Sequence, residues 1–428
     1  MTLIRPFKGL RYDTGRTGAS HASLCAPPYD VISPSEREEL YKNSDYNVIR
    51  LILGKILPDD TAKENQYTRA RGFLAEWMEK GILVRDKEEN YYAYLQEYDV
   101  EGKRHRRLGF FGLFKIEDPA SGTILPHEHT LAAPKKDRLE LIKEVKTNLS
   151  PIFSLFSDKY GKVTEILEKT EFYEKPAVDI TIKGVRHALW RISDSISVSK
   201  ISAFMSDRNV FIADGHHRYE VARQYRDFAR QAPGYNGNAD FVMMYFTDMD
   251  AGDGLTVLAT HRVINDITGA GSNDISDRMA KYFHVESHKG LECLMEHLRK
   301  KARAKHIFGF YGGGKFLSFE LEQGLNIEEL VDEGRTKEWK TLDVSILHSV
   351  IFRKLLGIDP KEGDVTYVRD PYEAVSLVKE GANKAAFLLN PTRVDQLRAV
   401  AEKGEMMPQK STYFYPKLLT GLVMNKFE

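Results

Sequence analysis

Cysteine is nearly absent: Cys25 and Cys293 are the two in 428 residues. Two thiols cannot build a disulfide framework or a multi-cysteine zinc or iron–sulfur centre, and such scarcity fits a reducing compartment. No run approaches the ~20 apolar residues needed to span a bilayer. The opening "MTLIRPFKGLRYD" lacks the apolar core of a secretory signal. A cytoplasmic location without a membrane partner is therefore expected. Charge of either sign is not in excess, with 62 basic and 62 acidic residues. Nucleic-acid binders usually carry a basic surplus, so no nucleic-acid partner is expected. Repeats, low-complexity tracts and Gly/Ser-rich linkers are missing as well, so the domains are expected to pack closely.

What is present is an ordinary globular composition, 42% hydrophobic and 29% charged. The length allows two or three domains. Short apolar runs alternate with helical ones, which predicts a mixed α/β (α+β) fold. Three parts are expected: an N-terminal α/β accessory part at 1–108, a central catalytic part at 109–265, and a mixed α/β part at 266–428. In the first, Ser33 before Pro34 marks a helix start, "NVIRLILG" reads as a buried strand, and Glu101-Gly102 reads as a hairpin turn. In the second, "NVFIAD" and "DFVMMYFTDMD" read as strands, and Val221, Tyr225 and Phe228 fall on one helical face. In the third, "TLDVSILHSVIFRKLLGI" reads as a buried helix, and Asn390 with Pro391 as the start of another.

The stretch "FIADGHHRYEVARQYRDFA" at 211–229 concentrates chemistry. A strand ends at Asp214-Gly215, and helical periodicity begins near His217. Free N–H groups at a helix start favour an anion. His216, His217 and Arg218 add donors there, and arginine offers a fork that matches phosphate oxygens. A metal site, a phosphate site and a capped turn with solvated histidines all remain open on the residues alone.

Three other segments carry donors. In "PHEHT", Glu128 lies between His127 and His129, which suits a general base, a metal site, or a polar loop with no role. Asp248, Asp250 and Asp253 follow a strand and fit either a Mg2+ site or a solvated acidic turn. Thr260 and Arg262 stand at a strand end, facing either a phosphate or carboxylate, or solvent. In "PQKSTYFYPK", Lys410, Ser411 and Thr412 lack the Gly-rich cradle of a Walker A loop. With Lys417 they read as a loose phosphate-contacting tail or as a segment packed by its aromatics.

"ADGHHRYEVA" resembles the phosphate-binding signature of the ParB/sulfiredoxin-like superfamily. Its doubled histidine, with the upstream "ILPHE", is closer to that superfamily's free L-serine kinases than to chromosome-partitioning ParB. The whole chain resembles a widespread family of ParB-related proteins of unknown function, through "PPYDVIS", "HEHT…DRLELI…N…PIF", "FIADGHHRYEVA", "THRV", "LDVSILH" and "MPQKSTYFYPKLLTGLV". The resemblance implies a ParB-like central domain and a cytoplasmic kinase of serine metabolism. That kinase transfers phosphate from pyrophosphate, ADP or ATP to L-serine with Mg2+. Glu128 would be the base, and Asp214 would hold the serine ammonium or orient the base. Gly215, His216, His217 and Arg218 would grip the donor phosphates, with His216 in the catalytic group. Lys410, Ser411, Thr412 and Lys417 would close over the donor. His127, Thr260 and Arg262 would contact the substrate, and Asp214, Asp248 or Asp250 the metal. The implied partners are L-serine and the donor, with a homodimer admitted. The "APPYD" segment and the long C-terminal part depart from the small archaeal serine kinases. No helix-turn-helix is recognisable, and histidine replaces sulfiredoxin's cysteine, so sulfinic-acid repair is not expected. The alternatives are a ParB-like nucleotide-binding regulator acting on DNA or a protein, and a metallohydrolase built on His127, His129, His216 and His217.

Overall fold

The computed structural model describes residues 4–265, 272–331, 334–358, 364–381 and 384–427, without the side chains of 253, 272 and 273. The fold is mixed α+β, and the chain divides into two compact units. The first holds 1–126, 130–256 and 416–428, and the second holds 127–129 and 257–415. The expected boundary at 108/109 falls inside the strand Lys103–Lys115. That strand pairs along its length with Tyr91–Val100, so cutting there would break a continuous hydrogen-bond ladder. The first two expected parts therefore share one sheet. Among the described residues, no helix is long and apolar enough to cross a membrane.

The sheet of the first unit has nine strands. Its order runs Ile124–Leu125, Val210–Asp214, Ile152–Phe156, Phe241–Asp248, Lys103–Lys115, Tyr91–Val100, Val185–Ile192, Val178–Ile182, with Ile4–Arg5 also pairing Lys103–Lys115. The central hairpin turns at Glu101-Gly102, where both residues have positive φ (50° and 76°). A two-residue turn of that handedness matches the twist of its strands. Side chains alternate across the sheet. One face presents Ala93, Phe110, Ile212 and Phe246 to Val163, Ile201, Met205, Tyr219 and Ala222 from three helices. Truncating one of these large buried side chains to alanine costs about 2–5 kcal/mol.

The other face is more polar. Arg107, fully buried, donates to Gln96 Oε1 through Nε at 3.1 Å and to the Pro416 carbonyl. Gln96 Nε2 in turn donates to the Lys417 carbonyl at 3.0 Å. These bonds seat the C-terminal tail on the sheet. Further along, Thr420 and Ala26 exchange backbone bonds, and Asn425–Lys426 pairs with Thr147–Asn148.

Several expectations are corrected. "NVIRLILG" contains a helical turn, Ile49–Ile52. The buried Asn47 side chain accepts from Ile49 N–H at 2.9 Å and so starts that turn. Phe228 is 54% exposed, so Val221 and Tyr225 pack the helix His216–Ala229 without it. The helix expected at Asn390 is Val394–Glu402, because the Asn390 amide is engaged with the Leu298 carbonyl at 3.1 Å.

The second unit is a six-stranded antiparallel sheet. Its order is Phe283–His288, Lys315–Leu321, Ile307–Gly312, Ala385–Leu388, His261–Ile264, Val365–Val368. Helices Leu291–Lys301 and Pro371–Lys379 cover one face through Leu294, Leu298, Ala374 and Val375. "LDVSILH" opens a buried helical run, Asp343–Ile346, that continues as a π-helix over Leu347–Leu356.

Candidate functional site

The strand Val210–Asp214 ends in a bulge. Ile212 pairs with Ser154, and the next paired residue is Asp214, opposite Phe153. Strict alternation would aim Asp214 with Ile212 into the helix-covered core. The unpaired Ala213 moves it onto the face of Phe153 and Tyr245, the polar face that carries the tail.

There the carboxylate meets two cations. Lys417 Nζ donates to Asp214 Oδ1 at 2.6 Å, and Arg218 donates to Asp214 Oδ2 at 2.7 Å. Arg218 also donates to the Pro151 carbonyl. Burial alone would raise the Asp214 carboxyl, but Lys417 and Arg218 outweigh it and hold the group well below the usual carboxylate range. Gly215 caps the helix at φ 93°, and an added Cβ would lie 3.0 Å from the Arg218 guanidinium. Only glycine suits this turn. His216 is buried, and that burial pushes its imidazole down to about 3, so it is neutral near pH 7. His217 Nε2 accepts from Leu131 N–H at 2.8 Å.

Beside Arg218 is a cavity of about 60 Å³, lined in part by Tyr29, Arg138, Asn148 and Ser150. It is small beside drug-sized sites of about 300–1,000 Å³, and most of its wall is aliphatic, including Ile52, Leu141, Ile142 and Val221. The Arg138 guanidinium lies over the Tyr29 ring at 4.2 Å and donates to the Ile52 carbonyl at 2.6 Å. "PPYD", "DRLELI" and "DGHHR" therefore converge within the first unit. Sequence reasoning noticed the first two stretches but gave Tyr29 and Arg138 no role. It missed Arg107 and Gln96 altogether, because their pairing with residues 416–417 leaves no local signature.

His127, Glu128, Thr260, Arg262, Lys410, Ser411 and Thr412 lie in the second unit. Glu128 forms a bridge with Met407, and its Oε1 accepts from Lys410 N–H at 3.2 Å. His127 Nε2 and Thr412 Oγ1 are 3.0 Å apart. Ser411 is buried, and its hydroxyl donates to the Pro408 carbonyl. Lys410 has φ 55°, a costly conformation for a residue with a Cβ. Arg262 supports that loop, donating to the Gln409 and Lys410 carbonyls at 3.3 and 3.1 Å and to that of Thr260. Arg262 is 1% exposed, and burial brings it down to about 10. Its bonds hold the loop at 409–410.

In the first unit, the acidic triplet forms a hydrogen-bonded turn. Asp248 Oδ1 accepts from the N–H groups of Asp158 and Asp250 at 2.8 and 2.9 Å. Asp250 accepts from the Ser157 hydroxyl. The Asp253 side chain lies outside the described residues. Both oxygens of Asp214 are held by cations, so that carboxylate is not placed to ligate Mg2+. Among the described residues, the one group of three donors able to hold a metal is Glu286, His288 and His297, not His127, His129, His216 or His217.

No curated protein matches the chain. Among solved structures it is similar to a variant free serine kinase in complex with ADP, at 15% identity, covering 68% of this chain and 84% of that one, with TM-score 0.33. A conserved hypothetical protein from Pyrococcus furiosus is similar at 13% identity, 69% and 89% coverage, and TM-score 0.31. SbnI from Staphylococcus aureus, truncated at its C-terminus, is similar at 13%, 70% and 82%, and 0.34. A family model described as a protein of unknown function, DUF1015, matches residues 4–345. The chain belongs to the DUF1015 family.

Proposed function

We propose that this protein is a phosphotransferase that moves a phosphoryl group from pyrophosphate, ADP or ATP to the hydroxyl of free L-serine. The observation that carries the reading is the helix start at 215–218, where Lys417 and Arg218 flank the ionised Asp214. The positive end of the helix dipole and the two cations favour a phosphate there. The choice of serine rests on the resemblance of "ILPHE" and "ADGHHRYEVA" to free serine kinases, and so does a ParB-like ancestry for the region.

In the transfer, the serine oxygen forms a bond to phosphorus and the bridging oxygen of the donor leaves. By the resemblance of "ILPHE" to the free serine kinases, Glu128 would take the hydroxyl proton. Asp214 is too acidic to be that base near neutral pH. Its part is to hold Lys417 and Arg218 and to attract the serine ammonium. His216, neutral and buried, adds a dipole at the helix start. Mg2+ would enter with the donor's own phosphates. Positioning and charge neutralisation supply most of the catalysis in such transfers.

The test is to incubate the protein and Mg2+ with L-serine and each donor, and to follow phosphoserine by phosphorus NMR. Phosphoserine with one donor is the expected result. No phosphorylated product from any donor, across a panel of small alcohols, overturns the proposal.

A further inference from the structure

The edge of the sheet in the second unit carries a donor cluster that the proposed transfer does not use. Glu286 and His288 are two apart on the strand Phe283–His288, so they share a face. Cys293 and His297 are four apart on the helix Leu291–Lys301, so they share a stripe. The helix buries Leu291, Leu294 and Leu298 against the sheet, which brings the neighbouring stripe over the edge strand.

The distances are short. One donor atom each from Glu286, His288 and His297 lies within 4.8 Å of the others. His297 Nε2 is 3.5 Å from Glu286 Oε2, and Cys293 Sγ is 3.9 Å from His288 Nδ1. Donors around tetrahedral zinc, with bonds of about 2.0–2.3 Å, sit about 3.3–3.7 Å apart. Small side-chain rotations close the difference for Glu286, His288 and His297, whereas Cys293 lies outside that mutually close group and must turn further to join it.

One contact points specifically to ligation. His288 Nε2 is 2.9 Å from the Oγ of Ser318, which is 1% exposed. With Nε2–H donated to that hydroxyl, Nδ1 keeps its lone pair and faces Cys293. Metal-bound histidines are oriented by just such a partner on the other ring nitrogen. A plain His297–Glu286 ion pair accounts for one contact of the cluster, but not for two imidazoles with centroids 4.8 Å apart beside a thiol.

The geometry points to a site for a borderline divalent cation, Zn2+ foremost, held by Glu286, His288 and His297 with the Cys293 thiolate as fourth donor. Two imidazoles and a thiolate disfavour Mg2+ and Ca2+, which take oxygen ligands. Four protein donors leave no open position, so the site is structural and pins the edge strand to the helix.

The test uses the full chain, stripped with a chelator and titrated with Zn2+ against a chromogenic competitor. Wild type is expected to bind one more Zn2+ per chain than His297→Ala, and excess Mg2+ should not displace it. Glu286→Gln, at a half-exposed side chain, should bind that ion at least tenfold more weakly, which keeps the test valid if His297→Ala misfolds. With Co2+ in place of Zn2+, a thiolate charge-transfer band should appear and be lost in Cys293→Ser. Full stoichiometry in His297→Ala, or unchanged affinity in Glu286→Gln, overturns the site. A band that persists in Cys293→Ser overturns the fourth donor. Because the readout is binding, failure of phosphotransfer leaves this result untouched.

Discussion

Replacing Lys417 by Met removes the ammonium 2.6 Å from Asp214 Oδ1, in a pair whose side chains are 12% and 19% exposed. With an effective dielectric constant near 20, the gross attraction at that distance is about 6 kcal/mol. Desolvation of both ions offsets part of it. Arg218, 2.7 Å from the other oxygen, stays in place and holds some of the charge. A net coupling of about 2–4 kcal/mol is expected. Lys417→Met leaves a carboxylate with one cation, and Asp214→Asn leaves two cations facing each other. The double variant removes both faults and should cost less than the two single costs added. The assay is a double-mutant cycle by urea unfolding at pH 7. Asp214's depressed pKa contributes stability that is present above its unfolded value of about 3.9 and lost as pH falls through the folded value. In Lys417→Met the folded value moves up toward the unfolded one, so this contribution shrinks and its loss is complete at a higher pH than in wild type. Single-variant costs that add within about 0.5 kcal/mol would refute the reasoning.

Gly215→Ala should cost about 1–2 kcal/mol in backbone conformation, and should also lower phosphate affinity by displacing Arg218. A variant of wild-type stability and affinity would show that the turn tolerates a side chain. Glu128→Gln should lower kcat about 10²–10⁴-fold with little change in donor KM, whereas near-wild-type turnover removes the base assignment. Burial pushes the His187, His216 and His348 imidazoles down to about 3 and that of His261 to about 4. The unfolded chain binds these protons first, at about pH 6.5. Stability should thus fall as pH drops from about 6.5 toward 4, and an unfolding midpoint unchanged from pH 7.5 to pH 5 would contradict this.

The parts of the candidate site that were legible in the sequence are local. Helical periodicity after Gly215 marked the strand–turn–helix, and Glu101-Gly102 marked its hairpin. The bulge at Ala213 was not legible, because parity in the sequence assigns Asp214 to the wrong face and only the partner strand reveals the slip. The division into units was hidden for a similar reason. Residues 416–428 belong to the first unit, where the Lys417 and Pro416 carbonyls accept from Gln96 and Arg107, 321 and 309 positions earlier. "NVIRLILG" is apolar enough for either a strand or a helical turn, and Asn47 decides it.

If residues 215–218 and Lys417 seat a phosphoryl donor, the donor's phosphate lies against that helix start. A crystal structure soaked with pyrophosphate and L-serine tests it most directly. The expected result is a phosphate group against the N–H groups of 216–218 and within hydrogen-bond reach of Lys417 Nζ. Pyrophosphate bound elsewhere on the protein, with that helix start empty, would contradict it.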